Sequence, residues 1–358
     1  LQRRLELYRE SNLALLDRLR ELEHGYLHLS GRLVFQRCGQ DCSPAEARHL
    51  LGGADGVIRR AAWEARAAHV ANLRLEFEDM VDEVLALREQ VARNADQPTW
   101  NAFRQARGEG LSPRPWNTAP ADLSVARQPW DIAHCQEEPC SLFGEGEDGL
   151  DELADTLSYH APRLALLLRR LLLHGLLERP RRAPLLDMDA CFWLPRHGLP
   201  LLKLDLQAMD DRLELLLALV ARGRHAMASV AGHTGNCLPG LVLWPRQEDV
   251  QLARSAVDAM LAELGATRAT AFRRRLDALS RREEAESLSR ECWVWWAHEE
   301  PGAGRATRRR RWLELQLRLH PGLEGCGLEE SVADTHFLQG DFFLPDWAPP
   351  SRVVERAL

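Results

Sequence analysis

Apolar residues, interrupted once by an amide, recur over the first 33 positions at alternating steps of four and three: Leu1, Leu5, Tyr8, Asn12, Leu15, Leu19, Leu22, Tyr26, Leu29 and Leu33. That 3.5-residue period predicts a helix wound against other helices, not a solitary amphipathic one. With Leu1 at position d, Asn12 falls in the a layer, where a buried amide fixes register at a cost in stability. Asn12→Leu is therefore expected to stabilise the helix while loosening its register. Leu13 and Leu16 widen the stripe beyond a strict seam and suggest packing against more than one helix. Arg4 would face Arg9 in a parallel pair of copies, which argues against a simple parallel homodimer.

Punctuation replaces the period from Val34 to Gly56. Ser43-Pro44-Ala45-Glu46 has the form of a capping box and predicts a short helix to about Leu51. A second long helix is predicted from Asp55 to Ala95, with a later seam of Leu73, Phe77, Met80, Val84, Leu87 and Val91. Both long helices would run roughly 50–60 Å at 1.5 Å per residue, which makes an antiparallel hairpin the natural arrangement.

Residues 97–149 lose periodicity and carry six prolines, with Trp100, Trp116 and Trp130 among them. This composition predicts an extended arm lying in grooves. Beyond Gly149, helices are predicted at 151–159, 162–178, 207–231, 247–264 and 267–296, and the second of these is apolar nearly all round, hence buried. Residues 190–194 and 201–206 read as a hairpin, and Leu313, Leu315, Leu317 and Leu319 alternate like a strand. The fold class is mainly α: a coiled-coil helical hairpin over 1–96, a Pro/Trp-rich arm over 97–149, and a C-terminal region over 150–358, all helical or with a small β-sheet.

At 358 residues, 45% hydrophobic and 28% charged, the chain folds as a globular protein, in two domains or one elongated one. A formal charge of -7 gives no global attraction to nucleic acid or anionic membranes. Lys203 is the sole lysine, so arginine clusters carry less meaning than usual. The eight cysteines are too scattered for a disulfide framework and suit a reducing compartment. The most apolar stretch, Leu164 to Leu177, is broken by Arg169, Arg170 and His174, so no membrane span is expected. The chain starts inside its seam at Leu1, as expected of a fragment.

Chemistry is sparse. The glycine-rich run Gly302 to Thr307 lacks the lysine of a phosphate loop. His233 and Cys237 place an imidazole near a thiol, without a protease signature around them. Cys38, Cys42 and His49, or His134, Cys135 and Cys140, are soft ligands at spacings that fit no zinc knuckle. The most pointed feature is Arg305, Arg308, Arg309, Arg310 and Arg311, next to Trp312 and close to Trp293, Trp295 and Trp296; such a cluster is a candidate polyanion site.

These features together predict a non-catalytic scaffold subunit of a hetero-oligomeric coiled-coil complex. The expected setting is cytoplasmic and cytoskeletal, at microtubules or the centrosome, with no cofactor, metal or catalytic residue. The alternative is a subunit of a nuclear, nucleic-acid-associated complex using Arg305 to Trp312, and a distant third is a cysteine-dependent enzyme using Cys237.

Overall fold

The computed structural model describes residues 6–31, 35–37, 40–42, 47, 50–107, 126–135, 142–143, 146–173, 177–178, 190–194, 199–203, 213–231, 242–243, 247–338 and 340–343. The chain is mainly helical and divides into two compact units, one of residues 1–134 with 282–348, the other of 135–281 with 349–358.

In the first unit, α1 (Leu13–Gly31) follows a single 3-10 turn at Glu10–Asn12. A pair of three-residue strands, β1 (Phe35–Arg37) and β2 (Gln40–Cys42), comes next. The long α2 (Gly56–Asn94) starts where Asp55 caps it, its carboxylate accepting from Val57 N at 2.8 Å and Ile58 N at 3.3 Å. α2 ends with Asp96 in the left-handed region at φ 57° and Gln97 N bonded back to Ala92 O, the device that closes a helix over its last carbonyls.

α1 and α2 run antiparallel. Asn12 bonds to Val91, Arg18 to Glu83, and Tyr26 meets Phe77 edge-on at 6.2 Å, so pairing advances along one helix as it retreats along the other. α1 has 19 residues against 39 in α2, so the expected hairpin of matched arms is not formed. Its seam has a different destination as well. Leu19, Leu22, Tyr26 and Leu29 enter a core with Leu73, Phe77, Val84 and Val91, completed by Trp100 and Phe103 of α3 (Trp100–Ala106) and by Trp293, Trp312, Phe342 and Phe343 from the far end of the chain. Leu15, Met80 and Leu87 are partly buried against that core, Tyr8 is exposed, and Leu1, Leu5 and Leu33 lie outside the described residues. A 3.5-residue stripe signals that a face is covered, and here the cover is the same chain.

Asn12 illustrates the difference. It is buried, donates to Val91 O at 3.0 Å and accepts from Asn94 Nδ2 at 2.8 Å, so it satisfies a carbonyl that the last turn of α2 leaves free. Asn12→Leu should therefore lower stability, by about 1–3 kcal/mol, because it strands a buried carbonyl. Urea denaturation checks this, and a rise in the midpoint would restore the expectation from the seam alone.

The C-terminal half of α8 (Ala266–Glu299) and α9 (Arg305–Leu319) finish this unit with α10 (Glu329–Ala333), α11 (Gly340–Phe343) and 3-10 turns at Pro129–Asp131, Pro321–Leu323 and Asp334–Leu338. The Leu313 to Leu319 alternation is helical, not a strand. Arg308, Trp312, Leu315 and Leu319 are the buried side, at the four- and three-residue steps of a helix, which the leucines at every second position mask.

The second unit contains α4 (Gly146–His160), α5 (Pro162–Leu173), α6 (Leu213–Ala231), α7 (Gln247–Leu261) and the first half of α8. Four short strands, β3 (Leu177–Glu178), β4 (Ala190–Leu194), β5 (Leu199–Lys203) and β6 (Val242–Leu243), pair in the order β3-β5-β4-β6, with β3 parallel to β5 and the rest antiparallel. Leucines and alanines of the helices make a single core, from Leu150 and Leu157 through Leu168 and Leu217 to Phe272. Glu214 of α6 ties this core at its rim, accepting from Arg254 of α7 at 3.3 Å and from Arg273 of α8 at 2.6 Å. α5 is not buried all round, as its composition suggested. Leu166 and Leu173 face outward beside Arg169 and Arg170, because a helix lying on one core buries only one side.

Candidate functional site

Arg305 and Arg308 of α9 meet carboxylates that sit more than 200 positions away in sequence. Arg305 bonds to Asp79 at 2.7 Å and to Asp82 at 2.5 Å, contacts that hold its guanidinium more firmly protonated. Arg308 is buried, paired with Asp82 and donating to Ala303 O at 2.6 Å. Arg309 and Arg74 converge on buried Asp334, at 2.9 Å and 2.5 Å. Arg311 pairs with Glu314 at 2.9 Å and lies 5.8 Å from the Trp296 ring. Arg310 is exposed. The run is thus largely engaged within the chain, and the acidic stripe of α2 that neutralises it lies far off in sequence.

Behind this array lies a polar cluster that sequence reasoning passed over. Arg88 sits on the buried face of α2 between Val84 and Val91, 2% exposed. It donates to Phe342 O at 2.7 Å and contacts His298 Nε2 at 3.1 Å, with the rings of Trp100 and Phe342 at 5.6 Å and 5.2 Å from the guanidinium. Since arginine only donates, His298 accepts at Nε2 and donates from Nδ1 to Val294 O at 2.8 Å, the neutral tautomer. Burial, reinforced by Arg88, pushes the His298 pKa well below its ordinary value. His336, which donates to Ala333 O at 2.7 Å, is pushed to about 3 by burial, with Arg308, Arg309 and Arg74 adding to it. His320 is pushed to about 4 by burial and Arg282. A charge breaking an apolar helical face, as Arg88 does, was the available signal.

A sizeable cleft among the described residues measures about 450 Å³ and lies at the C-terminal end of α2, lined by Glu6, Leu7, Arg9, Ala95, Asp96, Gln97 and Ala106. Its polar wall is the Arg9–Asp96 pair at 2.8 Å, with Arg9 also held by the carbonyls of Glu6 and Tyr8. This volume is of the size of a small-ligand site, and its charged lining is Arg9 with the two acids Glu6 and Asp96.

Of the soft ligands, His134 contacts Gly52 O at 3.3 Å and Cys135 is half-buried. Cys38, His49, Cys140, His233 and Cys237 lie outside the described residues, as does the side chain of Cys42. Among the described residues no three His, Cys, Asp or Glu side chains gather as a metal site. Nor does the sequence contain the His-Glu-x-x-His run of a helical hydrolytic zinc site; His24 and His28 keep its spacing, but Gly25 stands where the glutamate base would be. The residues present do not fit that centre.

Comparison with solved structures identifies the fold. PZ peptidase A with an inhibitor matches over 97% of this chain, with a TM-score of 0.72 and 14% identity. An oligoendopeptidase F matches over 97% with a TM-score of 0.76 and 13% identity, and one from Bacillus anthracis str. Ames over 94% with 0.63 and 12%. The fold is one shared with peptidases. The chain spans 66% of the length of each of these three. No family model matches the sequence, and no curated protein matches it.

This corrects the functional expectation. A non-catalytic, microtubule- or centrosome-associated coiled-coil subunit is overturned by a fold shared, across almost the whole chain, with proteins named as peptidases. The expected hetero-oligomer of coiled-coil subunits falls with it. The seam that called for partner helices is covered by Phe77, Trp293 and Trp312 of the same chain.

Proposed function

We propose that this protein acts on oligopeptides as a peptidase of the oligoendopeptidase type. The observation that carries the proposal is the backbone likeness to PZ peptidase A and oligoendopeptidase F over 97% of the chain. A likeness of that extent, with a TM-score up to 0.76, takes in both compact units and not a single borrowed motif. In the cleft lined by Glu6, Arg9 and Asp96, a charged peptide terminus would bind by exchanging with the Arg9–Asp96 pair.

The test is incubation of the purified protein with a mixture of short synthetic peptides, read by mass spectrometry for internal cleavage. Parallel arms with a chelator and with a thiol alkylator assign the chemistry to a metal or a cysteine. Cleavage at internal bonds supports the proposal, and intact peptides in every arm, with no binding by calorimetry, overturn it. The Arg9→Ala variant examines the cleft itself. A weaker affinity for peptides with free termini places a terminus there, and an unchanged affinity removes the cleft from the proposal.

A further inference from the structure

We infer that the outer face of α1 carries a transition-metal chelate formed by His24 and His28, a site for a divalent late first-row cation. The two residues are four apart in the C-terminal part of the helix that runs from Leu13 to Gly31. Residues one turn apart on a helix have Cβ atoms about 5–6 Å apart, close enough for two imidazoles to converge on one ion at about 2.0–2.1 Å from each nitrogen. Burial of the alternate face dictates their direction. Leu22, Tyr26 and Leu29 point into the core, Gly25 lies against Met80, and His24 and His28 are left exposed.

One feature of the surroundings favours a cation. His28 stands in the last turn of α1, where the helix dipole presents its negative end. Glu21 and Asp17 lie on the same exposed side one and two turns earlier, already paired with Arg18 and Arg20 at 2.8 Å each, so they leave the site without added net charge. Two protein nitrogens leave the remaining coordination positions to water, which sets this site apart from a closed structural zinc centre. Imidazole donors suit copper, nickel and zinc, and the general order of stability places Cu(II) first. Because the chelate exists only while the turn between residues 24 and 28 is helical, the ion also reinforces α1. Nothing in this inference depends on the peptidase proposal, and with Gly25 in place of a glutamate base the site is not a hydrolytic centre.

The experiment is calorimetric titration of the purified chain with Ni(II) and with Cu(II), using a His24→Gln, His28→Gln double variant to subtract binding by other histidines. The expected result is one site per chain that weakens by more than about tenfold in either single variant, as loss of a chelating ligand requires. Arg20→His combined with His28→Gln restores the four-residue spacing one turn earlier, since Arg20 is an exposed residue of the same helix, and should regain the site. The metal should raise the melting temperature of the wild type and not of the double variant. A titration identical in the wild type and the double variant, or a His28→Gln variant of unchanged affinity, overturns the inference. Circular dichroism of each variant separates loss of a ligand from loss of the helix.

Discussion

Acidification below pH 6.5 should steeply destabilise the first unit. His298, His320 and His336 are all almost completely buried there and held neutral, the latter two at about 4 and about 3. In the unfolded chain each takes up a proton below its ordinary value of 6.5, while the folded chain does not. Nothing is lost above that value, and stability falls as the pH drops from it toward the folded values. Each histidine contributes a slope of up to about 1.4 kcal/mol per pH unit. His320 and His336 alone give two such slopes over about two units, to which His298 adds in the same direction, so stability should fall steeply between pH 6.5 and about 4.5 against a total of about 5–15 kcal/mol. Guanidinium groups of Arg88, Arg282, Arg308, Arg309 and Arg74 stand close to these rings and deepen the effect, since protonation would set like charges together. Most of the eleven tryptophans belong to this unit, so their fluorescence during urea titration at a series of pH values reads it. His336→Asn, which keeps a donor for Ala333 O, should flatten the slope by about one histidine's share. An unchanged slope in that variant would show that the acid response arises elsewhere.

Asp82→Ala should destabilise the first unit measurably. Asp82 accepts from both Arg305 and Arg308, and Arg308 is 4% exposed. Removing the carboxylate leaves a buried guanidinium with its Ala303 O contact alone, a loss of about 1–3 kcal/mol, below that of a fully buried pair because Asp82 itself is 40% exposed. The double variant Asp82→Leu, Arg308→Met removes charge and countercharge together and should recover much of the loss. Equilibrium unfolding of the three proteins checks it. A single variant as stable as the wild type would mean that Arg308 is solvated and that the array is merely a surface feature.

The parts of this fold that were legible in the sequence are local. The helix expected from Asp55 to Ala95 runs from Gly56 to Asn94, because a cap and a sustained apolar face are both written in adjacent residues. The identity of what covers that face was not legible. Phe77 and Val84 meet Trp293 and Trp312, and no periodicity announces a partner more than 200 positions away. The same limit governs the arginines, whose neutralising acids Asp79 and Asp82 sit at the distances in sequence where charge patterning says nothing. Leu313 to Leu319 failed differently, since leucine at every second position satisfies a strand while Trp312, Leu315 and Leu319 satisfy a helix. The peptidase-type fold had no motif to carry it: at 12–14% identity the backbone is held in common while the residues are not.

The division of the chain inside α8 bears on how the protein is made. The first 134 residues complete their core only with residues 282–348, so the ribosome must add the intervening 135–281 before Trp293 and Trp312 exist to cover Phe77. At roughly 5–20 residues per second that interval lasts on the order of ten to thirty seconds. Through it the apolar faces of α1 and α2 have only each other and Trp100 and Phe103 of α3 for cover. The second unit, nearly continuous in sequence, can close first, and the returning half of α8 then delivers the missing tryptophans to a waiting pair of helices.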